Sequence, residues 1–358
     1  NKWLESHQPF HWFAEFYEMV NEQKGFSVVI GNPPYVEYSD VESLYSITDY
    51  ITKRCGNLFA FTIERSFLLI KKLGFFGFIV PISSICTPRM KQLFLLETHN
   101  TSILTTSHFA VRPDKLFSGA DMNLTIHLAK IDKPKNHALI QSTNYQHWYS
   151  DFRKHLFEMI RYGQVLDRED GLIYKINTNI EMNVLQRLLT FKKELKAVSG
   201  KTTQIYYHSG GRYFRKCILK QLSNEYKPLL VQEKYKYHYI SLYSSSLYYW
   251  FWVIYSDTYH VTKSDIESFH FPEMIFQDKN LPIIGIELLE DLEKNKECRQ
   301  RQRKDGSIQK EMNYFVGKSK KIIDRIDLRL CQYCGFTQEE LDFIINYDIK
   351  YRMGKDGE

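Results

Sequence analysis

Asn32-Pro33-Pro34-Tyr35 follows directly on the apolar run Phe26-Ser27-Val28-Val29-Ile30-Gly31. The residue types suit work on the exocyclic amine of a nucleobase. Such an amine is a poor nucleophile because its lone pair is delocalised into the ring. The Asn32 carboxamide oxygen can accept one of its N–H groups, and the backbone carbonyl of Pro33 can accept the other. Two acceptors together localise the lone pair and hold the nitrogen in one direction. Proline fixes φ and carries no N–H, so the pair presents its carbonyls stiffly at a tight bend. Tyr35 offers a π-face to a base rotated out of a duplex. Taken alone, the four residues also make an ordinary turn with a surface tyrosine.

The run before the motif reads as a short buried strand. Open α/β sheets bind their ligands beyond the carboxyl ends of the strands, which is where the motif stands. A helix or partly ordered segment is expected over 3–22 and a polar connection over 36–49. A helix is expected over 57–72, with Phe59, Ile63, Phe67 and Ile70 on its apolar face. Residues 75–80 read as a second strand stopped by Pro81, and 88–99 as a helix. Residues 103–109 and 122–130 read as a hairpin that finishes the sheet. Residues 131–165 are mixed. Beyond them a helix is expected over 180–195, short strands and turns over 200–290, a charged helix over 287–304, and one or two helices over 308–358. The dense run Tyr248-Tyr249-Trp250-Phe251-Trp252 reads as buried structure, since so many rings are costly to expose.

Several stretches carry a family resemblance. Phe10-His11-Trp12-Phe13-Ala14-Glu15-Phe16, Gly25 through Val36, Asn57-Leu58-Phe59 and Gly74-Phe75-Phe76-Gly77-Phe78-Ile79-Val80-Pro81 are among them. So are Ile322-Ile323-Asp324-Arg325-Ile326-Asp327, Tyr333-Cys334-Gly335-Phe336-Thr337 and Asn346 to Arg352. Together they resemble the type IIG restriction–modification and Eco57I-like adenine methyltransferases. The resemblance implies an N6-adenine DNA methyltransferase that uses S-adenosylmethionine and acts on double-stranded DNA. It makes Asn32, Pro33, Pro34 and Tyr35 catalytic. Tyr35 and Phe117 would flank the flipped adenine, although Phe117 equally fits a core position at the start of a strand. Asn32, Asn57 and Phe59 would line the cofactor, while Asn57 also fits a helix N-cap and Phe59 a core residue.

The implied fold is α/β: the later half of a Rossmann-like methyltransferase sheet, then an α+β target-recognition domain and a helical C-terminal tail. The expected divisions are 1–135 for a partial catalytic domain, 136–199 for a connecting helical region, 200–290 for target recognition and 291–358 for the tail. The family's glycine-rich cofactor loop, and the acidic residue after the next strand, belong upstream of the motif. The 31 residues before Asn32 contain neither, and Gly74 and Gly77 are misplaced for the role. The cofactor pocket is therefore expected to be incomplete in this chain, with the N-terminal half absent or carried as a separate partner chain. The alternative function is a DNA-binding specificity fragment without activity.

Net charge is +6, which is compatible with nucleic acid. Its distribution is more informative. Residues 201–240 hold eight Lys/Arg against two Glu, and a local basic surface is what phosphate binding needs. Arg212, Tyr213, Arg215, Lys216, Lys234 and Lys236 are the candidate DNA contacts. Lys234-Tyr235-Lys236-Tyr237-His238-Tyr239 alternates, so as a strand it would put lysines on one face and tyrosines on the other. The alternative is a solvated basic strand with tyrosines in a core. The six cysteines show no framework spacing, and Cys331-Gln332-Tyr333-Cys334 lacks the second pair that a zinc site needs. No metal site and no membrane span are expected, and the location expected is cytoplasmic. Duplex DNA binding should weaken steeply with salt. Changing Arg212, Arg215 and Lys216 together to Ala should lower affinity and flatten the salt dependence, read by fluorescence anisotropy across a salt series; an unchanged slope would place the DNA surface elsewhere.

Overall fold

A computed structural model describes residues 11–44, 46–134, 137–166, 168–192, 200–210, 216–302, 306 and 308–352. The chain divides into two compact units, Asn1–Asn177 and Thr178–Glu358.

The first unit is built on a six-stranded mixed sheet. Its strands are β1 (Phe26–Gly31), β2 (Ile70–Pro81), β3 (Thr101–Phe109), β4 (Leu124–Ile131), β5 (Leu139–Gln146) and β6 (Gly163–Gln164), in the order β1-β2-β4-β3-β5-β6. β1 and β2 run parallel, as a βαβ crossover requires, and helix α1 (Leu58–Leu69) connects them. Asn57 caps α1 by accepting the Phe59 N–H, at 3.3 Å. The helix ends three residues before the expected position. Ile70 is already extended, and the pairing jumps from Phe26↔Ile70 to Val28↔Phe75. The chain turns within that bulge through Leu73, at φ 64°, and Gly74, where a Cβ would sit 2.6 Å from the Ile70 side chain. Regular pairing thus starts at Phe75, the expected strand start.

A 3-10 turn, Pro88–Met90, leads into α2 (Lys91–Asn100). The β3–β4 hairpin forms as expected, with β4 antiparallel between β2 and β3. It does not finish the sheet. β5 pairs parallel with β3, and β6 pairs antiparallel with β5. The division expected at 135 therefore falls between strands of one sheet. β5 escapes a hydrophobic-pattern reading because part of what it buries is polar: Ser142 and Thr143 are both fully buried. His108 satisfies them, its Nε2 lying 2.8 Å from Ser142 Oγ and its backbone N–H donating to Thr143 Oγ1 at 3.0 Å.

The second unit opens with α3 (Asn179–Leu189), started by a capping box between Thr178 and Glu181. An antiparallel sheet follows in the order β8-β7-β9, from β7 (Thr202–His208), β8 (Cys217–Ile218) and β9 (Tyr226–Gln232). The alternating stretch 234–239 is not a strand. A 3-10 turn, Glu233–Tyr235, leads into α4 (Lys236–Ser244), whose residues from His238 onward are all buried. Burial on every side overrides the two-residue alternation. α5 (Ser246–Tyr255) carries the aromatic run, and Trp250 and Trp252 are 0% and 1% exposed. That is the expected buried structure, in helical form.

The charged helix expected over 287–304 begins earlier, as α6 (Leu281–Lys294), and gives way to a hairpin of β10 (Lys296–Gln302) and β11 (Ile308–Tyr314). The C-terminal part is thus not wholly helical. α7 (Lys320–Cys334) and α8 (Gln338–Asn346) follow. No described helix is long and apolar enough to cross a membrane.

The tail secures the aromatic helix. Asp327 is a fully buried residue of α7, and its carboxylate accepts the Leu247 N–H at 3.1 Å. A negative group suits a helix N-terminus. Arg352 donates to Ser246 Oγ at 2.9 Å. Burial pushes the Asp327 carboxyl up to about 6, against smaller opposing contributions from Ser246 and Arg352. A folded-state value above the unfolded one adds stability below about pH 4 that is lost as pH rises through about 6. Asp327→Asn keeps the oxygen acceptor and removes the titration. Between pH 4 and pH 7 the wild type should lose on the order of 2–3 kcal/mol relative to the variant, read from urea unfolding of both proteins. Parallel pH profiles would refute this.

Candidate active site

The motif leaves β1 at its C-terminal end. Gly31 is the last strand residue, and a Cβ there would sit 3.3 Å from the Phe78 ring of β2. The missing side chain lets the backbone pass close to that ring. Asn32 and Pro34 are exposed and Pro33 is buried. The Tyr35 hydroxyl lies 2.6 Å from Asn32 Oδ1 and 2.8 Å from the Ile79 carbonyl. It carries one proton, so it serves one of these acceptors at a time. Burial pushes its pKa up to about 12, which keeps it a donor at neutral pH. Asn32 Oδ1 retains a second lone pair for an incoming N–H.

The segment after the motif is fastened to the start of α1. The Tyr38 N–H donates to the Gly56 carbonyl and the Leu58 N–H to the Val36 carbonyl, both at 2.9 Å. Glu37 bridges antiparallel to Asn57 and accepts from Asn57 Nδ2 at 3.2 Å. Arg89 reaches the same carboxylate with both guanidinium nitrogens, at 2.7 and 3.0 Å. Burial alone would raise the Glu37 carboxyl, but the hydrogen bonds from Arg89 and Asn57 and the Arg89 charge outweigh it and hold it below its ordinary range. Further along, Glu64 of α1 accepts the Ile51 and Thr52 N–H groups at 3.0 and 2.9 Å. The loop is thus held at two places.

A cavity of about 550 Å³ opens beside the motif. Val29 to Pro34 form one wall, Leu58, Phe61, Thr62, Arg65 and Leu69 of α1 another, and Ile47, Tyr50 and Phe78 also line it. Asn32 and Pro33 therefore stand at a largely apolar recess that could receive a flat ring. Among the described residues, no group of three or more His, Cys, Asp or Glu could hold a metal ion.

The other candidates distribute unevenly. Asn57 is 5% exposed and spends its side chain on the cap and on Glu37. Phe59 is 1% exposed and lies in the core, on a different face of α1 from the cavity wall. Phe61 and Thr62, which sequence reading passed over, line the cavity instead. Their signal was helical spacing from Leu58, at three and four residues. Phe117 is half-buried in the β3–β4 connection. It lies at the motif's end of the sheet, since β4 begins at Leu124 opposite Pro81, but it is not part of the cavity lining.

Of the basic candidates, Lys216 lies over the Tyr314 ring at 5.7 Å, Lys234 over Tyr235 at 4.6 Å and Lys236 over Tyr237 at 5.0 Å. Arg212, Tyr213 and Arg215 fall outside the described residues.

One arrangement had no sequence signal. Ser84 Oγ lies 3.0 Å from His127 Nε2, and His127 Nδ1 lies 2.9 Å from Glu97. All three residues are fully buried, so this relay is an internal strut joining β4 to the helices beside it. Nearby His108 is held neutral: burial, Lys175 and His127 lower its pKa well below the usual value.

Residues 1–114 match the Eco57I restriction-modification methylase family. The likeness to that family is shown over this part of the chain. A putative type II restriction enzyme and methyltransferase of Methanocaldococcus jannaschii, RM.MjaORFECS2P, is 31% identical over 142 residues. The match covers 38% of this chain and 11% of that protein, so the chain spans a small part of its relative's length. Among solved structures, the type IIL restriction-modification enzyme MmeI in complex with DNA has a TM-score of 0.48 at 12% identity, over 92% of this chain and 57% of that one. The type IIG restriction endonuclease BpuSI has a TM-score of 0.32 at 9% identity, over 89% and 54%.

The Glu37–Arg89 pair can be tested apart from any activity. Both side chains are partly solvent-exposed, so Arg89→Ala should cost about 0.5–1 kcal/mol locally. Amide exchange at Tyr38 and Leu58 should speed up by roughly two- to fivefold, followed by mass spectrometry. Unchanged protection there would show that the backbone pairs hold the loop by themselves.

Proposed function

We propose that this chain carries the catalytic motif and target-recognition part of an N6-adenine DNA methyltransferase of restriction–modification type. The observation that carries the reading is the disposition of Asn32 and Tyr35 at the carboxyl end of a parallel strand, beside the apolar recess. The match of residues 1–114 to restriction-modification methylases supports it. In this reading an adenine leaves the duplex and enters at the motif. Asn32 Oδ1 accepts one N6–H through its remaining lone pair, and the Pro33 carbonyl accepts the other. The Tyr35 ring lies against the base, with Phe117 as the candidate for the opposite side. The amine becomes cationic as it is methylated and then loses its proton, so no strong base is required.

S-adenosylmethionine would supply the methyl group as an activated sulfonium. The recess fits part of that molecule. Tyr50, Phe61 and Phe78 would offer apolar walls for its adenine, with Asn32 on the rim of the same recess. The described lining contains no acidic residue to hold ribose hydroxyls. β1 stands at the end of the sheet, with Val28 and Ile30 54% and 76% exposed. These two features support a pocket completed by further strands. The same open edge also favours a second reading, a DNA-binding specificity module without activity. The basic window around Lys216, Lys234 and Lys236, together with Arg212, Tyr213 and Arg215, is proposed as a phosphate-contacting surface on double-stranded DNA.

The test is made in a protein in which a glycine-rich cofactor loop precedes this chain, by following tritium transfer to an adenine-containing duplex. Asn32→Ala should nearly abolish transfer while leaving DNA affinity largely intact, because the contact acts on the reacting nitrogen and phosphate contacts supply much of the affinity. Base–aromatic stacking is worth roughly 1–3 kcal/mol, so Tyr35→Ala should cost about one to two decades in rate. Tyr35→Phe keeps the ring and loses the hydroxyl tie to Asn32 and Ile79, so it should cost less than Tyr35→Ala. Transfer by Asn32→Ala at the wild-type rate would refute the catalytic reading. Absence of transfer in the wild-type protein, with DNA binding retained, would favour the specificity module.

A further inference from the structure

The segment that follows β5 holds large apolar side chains at the surface. Phe152, Phe157 and Met159 are 48%, 63% and 56% exposed, and Tyr149 and Tyr162 are exposed beside them in the sequence. Apolar side chains exposed singly need no explanation, whereas larger groups of them mark interaction sites. The segment is anchored from within. Trp148 and Leu156 are buried in a core cluster with Phe109, against which Leu116 and Ile160 pack. A 3-10 turn, Ser150–His155, spans the residues between the two anchors, Phe152 included. The Phe157 ring meets the Phe109 ring edge-on at 6.0 Å and leaves most of its own surface open.

The place of the segment points to a partner. β1, β2, β3 and β5 run in one direction, so the carboxyl ends of β3 and β5 lie at the same end of the sheet as Asn32. Past that end the two connections stay joined. The Ala110 N–H donates to the Gln146 carbonyl at 2.8 Å and the Asp114 N–H to the Trp148 carbonyl at 3.1 Å. Arg153 donates to the Lys115 carbonyl at 2.8 Å and also to the carbonyl of Leu116, next to Phe117. From β1 to β5 there are four strand spacings, roughly 19 Å or the length of five to six base pairs. A duplex lying across this end of the sheet, with a base entering at Asn32, therefore reaches the segment. Cations stand among the rings, and Lys154 and Arg161 are exposed. Of the acids in the segment, Asp151 accepts the Phe152 N–H at 3.1 Å and Glu158 lies 2.8 Å from His155 Nδ1.

We propose that residues 149–162 form a DNA-contacting surface of the first unit that favours an opened duplex. Phe152, Phe157 and Met159 lie against bases unstacked by extrusion of the target, and Lys154 and Arg161 contact phosphates. Side chains such as Phe and Met wedge between unstacked base steps, and an aromatic ring stacks on the face of any base. A fully paired duplex offers them few base faces, so a preference for opened duplex separates this surface from one that binds phosphates alone. The inference rests on the reading that the chain acts on double-stranded DNA. It places base contacts outside the window 200–290.

The experiment measures binding of the full chain by anisotropy over a salt series, to a fully paired duplex and to the same duplex with one abasic position. It compares wild type, Phe152→Ala/Phe157→Ala and Lys154→Ala/Arg161→Ala, with thermal unfolding as a check that each variant folds. The wild type should prefer the abasic duplex. The ring variant should lose that preference and bind the abasic duplex about tenfold or more weakly. The cation variant should bind both duplexes more weakly, with a logarithmic salt slope lower by up to about 2. Hydroxyl-radical footprinting of the wild type reads the same surface without a substitution, and it decides the matter if the ring variant does not fold. Oxidation of Phe157 and Met159 should fall on saturation with the abasic duplex. The surface proposal falls and the DNA reading stands if the wild type binds both duplexes alike, if either folded variant keeps wild-type binding, or if these side chains stay as reactive as in the free protein. Protection that rises with protein concentration in the absence of DNA would assign the surface to a second copy of the chain and overturn the proposal as well. If the wild type binds neither duplex at any salt concentration, both readings fall.

Discussion

A single phenolic proton lies between the Asn32 carboxamide oxygen and the Ile79 carbonyl, and the arrangement of the site follows from it. A motif at the end of a strand is fastened only by its predecessor. Tyr35 adds a lateral tie to β2, and the Glu37–Asn57 bridge adds a third point on the far side. Three ties leave the four residues little freedom. The hydroxyl also has a chemical consequence. When it donates to Asn32 Oδ1 it uses one lone pair and leaves the other, and acceptor lone pairs at a carbonyl oxygen lie near its plane. The direction from which an amine can approach is thereby narrowed by the same residue whose ring is proposed to hold the base.

The strands and helices around this site were legible because each carries its own pattern. The β-branched run before Asn32, the helix capped by Asn57 and the hairpin of β3 and β4 all declare themselves by period or punctuation. What failed to declare itself has physical reasons. β5 buries Ser142 and Thr143, so its inward face does not look apolar. The stretch from Lys234 alternates with period two, but the residues from His238 onward are enclosed on every side, and a helix that is buried all round has no polar stripe to reveal its period. Residues 296–302 are charged and would suit an exposed helix; only their pairing with 308–314 makes them a strand, and that partner is not local information.

The candidate site was legible to a similar depth. Asn32, Pro33 and Pro34 line one recess, and the Tyr35 hydroxyl reaches Asn32 beside it. Asn57 and Phe59 belong to the frame behind it, and the α1 side chains on the wall include Phe61 and Thr62. A helix shows in its sequence which residues share a face, but not which face meets a cavity. Buried polar groups are the other blind spot. Ser84, His127 and Glu97 are scattered in sequence and meet only after β4 and the helices pack. Enclosed as they are, each must find a partner or cost a few kcal/mol, so the relay specifies how those elements pack.

The exposed side of β1 links fold to function. Parallel strands are ordinarily covered on both faces, yet Val28 and Ile30 are largely open and the strand stands at the end of its sheet. Both are already partly covered, so covering the rest of each side chain would gain roughly 1–2 kcal/mol. Val29, Ile30 and Gly31 also form part of the recess beside Asn32. An element that seals this edge therefore gains free energy from the apolar strand and encloses the recess in the same step. Covering that edge and enclosing the recess would then be one structural event. The affinity of any ligand in the recess and the stability of the sheet edge would be coupled through the same few residues of β1.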